Sequence, residues 1–177
     1  MRNPARRNPA RRIQDRRNPA DHWVAEFATL AGQAADAGTR VGLEFLPWSN
    51  VKTVHDGLAI AGAADHPAGG LIIDVWHTER AHTPPAELAD VPVRFIVGVE
   101  LNDADAEPVG TLFEDTVTRR RLCGEGAFDL AGVITALRVA GWHGPWGVEI
   151  LSDDHRRAPL AEAVDAAFRT AKAQLDR

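Results

Sequence analysis

Four short apolar runs in this chain each close on a carboxylate. Val41–Phe45 carries Glu44, Leu71–Asp74 ends in Asp74, Phe95–Leu101 carries Glu100, and Trp146–Ile150 carries Glu149. Runs of this length, bounded by Gly and Pro, read as buried β-strands, and the stretches between them have helical periodicity. Strands and helices in alternation imply right-handed crossovers and a parallel sheet whose loops gather at one end. An acid at the end of each strand therefore collects at one sheet edge, which is where parallel α/β folds build their sites.

A single ionised carboxylate in such a place needs a cation or several hydrogen bonds, because burial alone is costly. One acid would read as a helix N-cap or a loop anchor. Four in succession point instead to a shared divalent cation, which supplies the positive charge that each carboxylate lacks.

The chain has 177 residues and 45% hydrophobic content, enough for one domain with a core. It is shorter than a complete eight-unit βα barrel, which takes about 250 residues. The formal net charge of −5 divides into +6 over residues 1–20, with seven Arg and one Asp, and −11 over the rest. An acidic folded part suits a cation-binding enzyme acting on small molecules and argues against a nucleic-acid partner. Cys123 is the single cysteine, so no intrachain disulfide is possible. No apolar run approaches 18 residues and the N-terminus has no apolar secretory segment, so no membrane role is expected and the expected location is the cytoplasm.

Residues 1–20 repeat Arg-Asn-Pro-Ala three times and contain almost nothing to bury. They read as a disordered Arg-rich leader, either a non-native extension or an arm for anionic surfaces. From residue 21 to 177 the chain reads as one domain. A helix over Asp21–Ala37 has Asp21 as N-cap and Gly38 as its stop. A helix near Val51–Ala64 follows the first strand. The polar segment Val75–Asp90 is expected to be a loop with one short helix from Pro85, and Asn102–Phe128 and Leu151–Ala158 are expected to be loops. Helices over Asp129–Ala140 and Pro159–Leu175 complete the expected alternation of one helix and four βα units.

Three residues past Asp74 stands His77, within reach of whatever a cation at Asp74 would bind. A neutral imidazole there serves as a ligand or a proton carrier. The segments Leu43–Trp48, Asp74–His77, Val99–Asp103, Arg121–Gly126 with Phe128 and Asp129, and Gly147–Ile150 together resemble the xylose-isomerase-like (β/α)8 superfamily. More narrowly they are similar to its sugar phosphate isomerase/epimerase branch. The resemblance runs from about Asp21 to Arg177 and implies the C-terminal half of a TIM barrel, with about four parallel βα units.

By that resemblance Glu44, Asp74, Glu100 and Glu149 ligate one divalent metal, while His77, Arg121 and Trp48 contact substrate. Glu100 stands where better-known epimerases have His. Four carboxylates form a hard donor set that favours Mn²⁺ or Mg²⁺, with Co²⁺ or Zn²⁺ as alternatives. The implied activity is isomerisation or epimerisation of a small sugar or sugar phosphate through an enediolate, with Glu44 and Glu149 moving the proton and His77 assisting. The rival readings are a phosphodiester hydrolase like the abasic-site endonucleases of the same superfamily, and an inactive half-barrel serving as a binding module. A half-barrel also leaves two open sheet edges and an apolar inner face, which implies a homo-oligomer or a complementing half-barrel.

Overall fold

The computed structural model describes residues 19–177; apart from its last two residues, the Arg-rich leader lies outside the described residues. Four strands form one parallel sheet in the order β1 (Val41–Glu44), β2 (Gly69–Asp74), β3 (Ile96–Leu101), β4 (Trp146–Val148). Among the described residues eight α-helices punctuate them: α1 (Pro19–Asp36), α2 (Val54–Ala64), α3 (Val75–Arg80), α4 (Pro85–Ala89), α5 (Leu112–Thr118), α6 (Leu130–Val139), α7 (Asp153–Arg157) and α8 (Leu160–Leu175). This is the expected run of βα units, and it is consistent with part of an α/β barrel.

Local chemistry sets the helix ends. Thr53 and Asp56 form a reciprocal capping box at the start of α2, and Asp129 caps α6 through the Gly132 amide. α1 begins at Pro19, a residue suited to the first helical position, so Asp21 lies inside the first turn and is not the cap expected for it. The segments read as loops conceal three short helices. Asp74 caps α3, a Thr111–Glu114 capping box starts α5, and Ser152 caps α7. Helices of five to seven residues are too short to show periodicity, so only their caps betray them.

The two faces of the sheet differ in composition. Leu71, Ile73, Val99 and Leu101 are fully or almost fully buried and pack into one cluster with Phe27, Val54, Leu130, Val133 and Leu137 from the helices. Burying each such side chain is worth about 1.5–3 kcal/mol, so this face holds the fold together. The register puts Glu44 opposite Ile72 and Asp74 opposite Glu100, with Glu100 in turn opposite Gly147. Since side chains alternate, Gly42, Ile72, Gly98 and Gly147 share the other face with the four acids. A Cβ on Gly42 would stand 2.7 Å from the Ile72 side chain, so small residues there make room for Ile72. The inner face is therefore not the apolar Val, Ile and Leu surface expected from the sequence; it is rich in glycine and acid, because the branched residues turn outward to the helices.

The same register explains why the acids gather. Asp74 lies two residues beyond Ile72, the partner of Glu44, and Glu149 lies two beyond Gly147, the partner of Glu100. That progressive stagger is of the size a tilted barrel wall needs, about one residue per strand, so acids at different heights along their strands come level at one edge.

Candidate active site

Asp74 is the hub of the acid cluster. It is fully buried at the junction of β2 and α3, and one carboxylate oxygen, Oδ1, caps α3 by accepting from the His77 amide at 3.2 Å. The other, Oδ2, accepts from Asn102 Nδ2 at 3.1 Å and from Arg120 Nη1 at 2.6 Å. Around it stand two overlapping groups of possible ligand atoms. Glu44, Asp74 and His77 form one, and Asp74, Glu100 and Glu149 the other; within each group the atoms lie no more than 4.8 Å apart. The four acids and His77 expected at the site are thus brought together by structure. His77 Nε2 is 3.3 Å from Glu44 Oε1, and its Nδ1 is buried without a partner among the described residues.

The electrostatics are those of crowded negative charge. Burial and the neighbouring carboxylates of Asp74, Glu149 and Glu44 push Glu100 up to about 7, with Arg120 acting in the opposite sense. Glu149 is also raised, chiefly by burial, and Arg120 offsets part of that effect. An oxygen-rich set whose members repel one another fits a hard divalent cation, which would relieve the repulsion and need no soft ligand.

Arg120 is the side chain that sequence reasoning missed. Its Nη1 bridges Asp74 Oδ2 and Glu149 Oε2, the latter at 2.9 Å. Nε and Nη2 donate to Thr116 Oγ1 at 3.1 and 2.8 Å, and Nη2 lies 3.5 Å from His77 Nε2. Thr116 is held in place because α5 is tied to α3 through Asp115, which accepts from Trp76 Nε1 and pairs with Arg80. Arg121, the residue expected to meet substrate, points elsewhere. It pairs at 2.5 Å with Asp105, which also takes Arg119, and lines a neighbouring cavity of about 330 Å³ with Glu125, Ser152 and Asp154. Arg119 and Arg121 sit in short antiparallel bridges to Ser152 and Asp103, so the residue between them faces the opposite way.

The Gly124-Glu-Gly126 turn closes this loop. Gly124 has φ +85, which favours glycine, and a Cβ on Gly126 would collide with Asp103 and Ala104. Buried Asp103 accepts from the Gly124 and Phe128 amides and so fixes the segment from which Arg120 projects. Trp48, expected at the substrate, places its ring 5.5 Å from that of His77 and 5.7 Å from that of Trp76, half exposed over the site.

Comparison with known proteins gives the fold a family. The family model described as xylose isomerase-like TIM barrel matches residues 7–171, and the chain belongs to that family. The 3-dehydroshikimate dehydratase of Pseudomonas aeruginosa is 36% identical over 142 residues, covering 79% of this chain and 22% of that protein. An inosose isomerase of Bacillus subtilis is 24% identical over 83% of this chain and 52% of its own length. Among solved structures, the IOLI protein with a binding zinc atom superimposes with a TM-score of 0.80 at 24% identity, over 88% of this chain and 55% of that one. The chain thus spans about a fifth of the dehydratase and about half of the isomerase.

Proposed function

We propose that this chain carries the catalytic edge of a divalent-metal-dependent enzyme that moves a proton next to a carbonyl in a small polyhydroxylated substrate. The observation that carries this reading is the convergence of Asp74, Glu100 and Glu149 within 4.8 Å, with Glu44 and His77 on the other side of Asp74. Relatives named as a dehydratase and as inosose isomerases support the substrate class, since isomerisation, epimerisation and dehydration can each begin by removing a proton beside a carbonyl. In this reading the domain takes in helix α1 from Pro19, two residues before the expected boundary, and the family match reaches back to residue 7.

Glu44, Asp74, Glu100 and Glu149 would hold Mg²⁺ or Mn²⁺. When bound, such a cation supplies the positive charge that acidifies a C–H beside a carbonyl. The protein's own groups then divide the work. Glu149, partly buried beside Asp74 and Glu100, accepts the substrate proton. Glu44 returns or removes a proton on the other side, and His77, in contact with Glu44, relays it. Trp48 covers the substrate, and an enediolate links the two carbons between which hydrogen moves.

No described helix is long and apolar enough to cross a membrane. Strands β1 and β4 are the edges of the described sheet, and Leu160, Val164 and Phe168 form an exposed apolar stripe on α8. We take this border as the place where further βα units, from a second copy or a complementing half-barrel, continue the wall. Solvent-deuterium exchange tests the chemistry. Metal-loaded protein should place deuterium at the carbon beside the carbonyl of an inosose or of 3-dehydroshikimate, as read by NMR, and metal-stripped protein should not. Equal exchange in both would sink the reading.

A further inference from the structure

We propose that Arg120 is the resident counter-cation of the acid cluster and that a divalent cation enters by exchange with it, releasing a guanidinium for a substrate oxygen. This rests on the metal reading above and adds a regulated order to it. An Arg side chain has five N–H donors, and here all five are engaged: Nε and Nη2 with Thr116, Nη2 also with His77, and Nη1 with both Asp74 and Glu149. The group is buried and offers its donors as a fitted bridge, not as a loose surface pair.

Occupied acceptor sites on Asp74 Oδ2, together with the charge of the guanidinium, favour exchange. A carboxylate oxygen has about two lone-pair sites, and Asp74 Oδ2 already receives Asn102 and Arg120. Its other oxygen faces the α3 amide of His77. A cation that takes Asp74 Oδ2 together with Glu149 therefore competes with a donor. Asn102 makes only one of these contacts, whereas Arg120 Nη1 sits on both oxygens and carries a like charge. Repulsion between two cations at such a distance is strong even in a partly solvated site, so Nη1 is the donor that leaves.

Thr116 decides where it goes. Because Nε and Nη2 both reach the single atom Thr116 Oγ1, loss of the Nη1 contacts lets the planar guanidinium pivot about that point as one rigid group, and it remains beside His77 and Glu149. A bound substrate oxygen at that position would receive the donor that the carboxylates gave up. Metal would then bind first and prepare the anchor for substrate, which couples the two affinities in the same direction.

Calorimetric titration of the full chain with Mg²⁺, wild type against Arg120→Gln, tests the exchange. Removing the competitor should tighten Mg²⁺ binding by about tenfold or more, a gain that a merely structural role for Arg120 would not produce. Equal or weaker binding in a folded Arg120→Gln protein would overturn the exchange while leaving the metal site intact. Failure of both proteins to bind millimolar Mg²⁺ would overturn the metal reading and this inference with it. Should Arg120→Gln not fold, wild-type protein still decides the matter. The ¹⁵N resonances of the Arg120 guanidinium, assigned through Arg120→Lys, should move when Mg²⁺ binds, and an unmoved signal in the metal-loaded protein would refute the exchange.

Discussion

Replacing Glu100 by Gln should make the metal-free protein more stable at alkaline pH and leave its stability unchanged in acid. Glu100 sits level with Asp74 across β2 and β3 and faces Glu149 and Glu44 as well, so its charge is the fourth in one place. Burial and those carboxylates raise it from the ordinary 4.5 to about 7. At about 1.4 kcal/mol per pKa unit the gap would be worth about 3 kcal/mol, but Glu100 is only half buried, and solvent screening leaves about 1–2 kcal/mol. The folded chain holds this proton more tightly than the unfolded chain does. Wild-type stability should therefore fall as pH rises from about 4.5 through 7, and the full cost is present above that window.

Glutamine fills nearly the same volume and does not titrate. The Glu100→Gln protein, kept free of metal with EDTA, should melt about 3–6 °C above wild type at pH 8, with the difference vanishing below about pH 4. Added Mg²⁺ should reverse the order at pH 8, since the variant has lost one charged ligand and binds the cation more weakly. Thermal scans at the two pH values, with EDTA and with Mg²⁺, read all four conditions. A variant less stable than wild type in EDTA at pH 8, or a difference independent of pH, would show that Glu100 is not part of the crowded cluster.

Other outcomes follow from the same geometry. Glu149→Gln should abolish hydrogen exchange at the substrate carbon while leaving a folded protein; exchange that persists in the metal-loaded variant removes Glu149 from proton transfer. Asp74→Ala should cost about 3–5 kcal/mol in urea denaturation, because it strands buried Arg120 and uncaps α3, and a loss below about 1 kcal/mol would contradict the hub role. Arg121→Ala should leave Mg²⁺ affinity unchanged, since that side chain is engaged with Asp105; a marked loss on titration would bring Arg121 back into the site. Cys123, buried and pushed up to about 12, should resist thiol reagents until the chain unfolds, and fast labelling of native protein would show that its loop opens.

Much of this site was legible because strand ends are marked in sequence by the change from apolar to acidic residues. Glu44, Asp74, Glu100 and Glu149 needed only the alternation of strands and helices to be placed at one edge, and His77 only its distance from Asp74. The face they occupy was harder. An apolar run such as Leu71–Ile73 looks the same whether its branched residues point inward or outward, and the glycines that mark the inner face, Gly42, Gly98 and Gly147, are spread over three strands. Only pairing register puts them in one row. What read as a surface needing to be hidden is the floor of the acid cluster.

Arg120 was illegible for a different reason. Three consecutive arginines, 119 to 121, are chemically equivalent in sequence, and the choice among them depends on backbone direction in a long loop. That direction is fixed by contacts far along the chain: Asp103 draws residue 121 into a bridge, Ser152 draws residue 119 into another, and Asp105 takes both of their guanidinia. The middle residue faces the strand-end acids and bridges two of them, Asp74 and Glu149. Its selection therefore follows from the sheet having already assembled the carboxylates, since a buried guanidinium needs a prepared set of acceptors before its desolvation can be offset. Arg120 is thus specified by the tertiary fold, whereas the acids it bridges are specified by their strands.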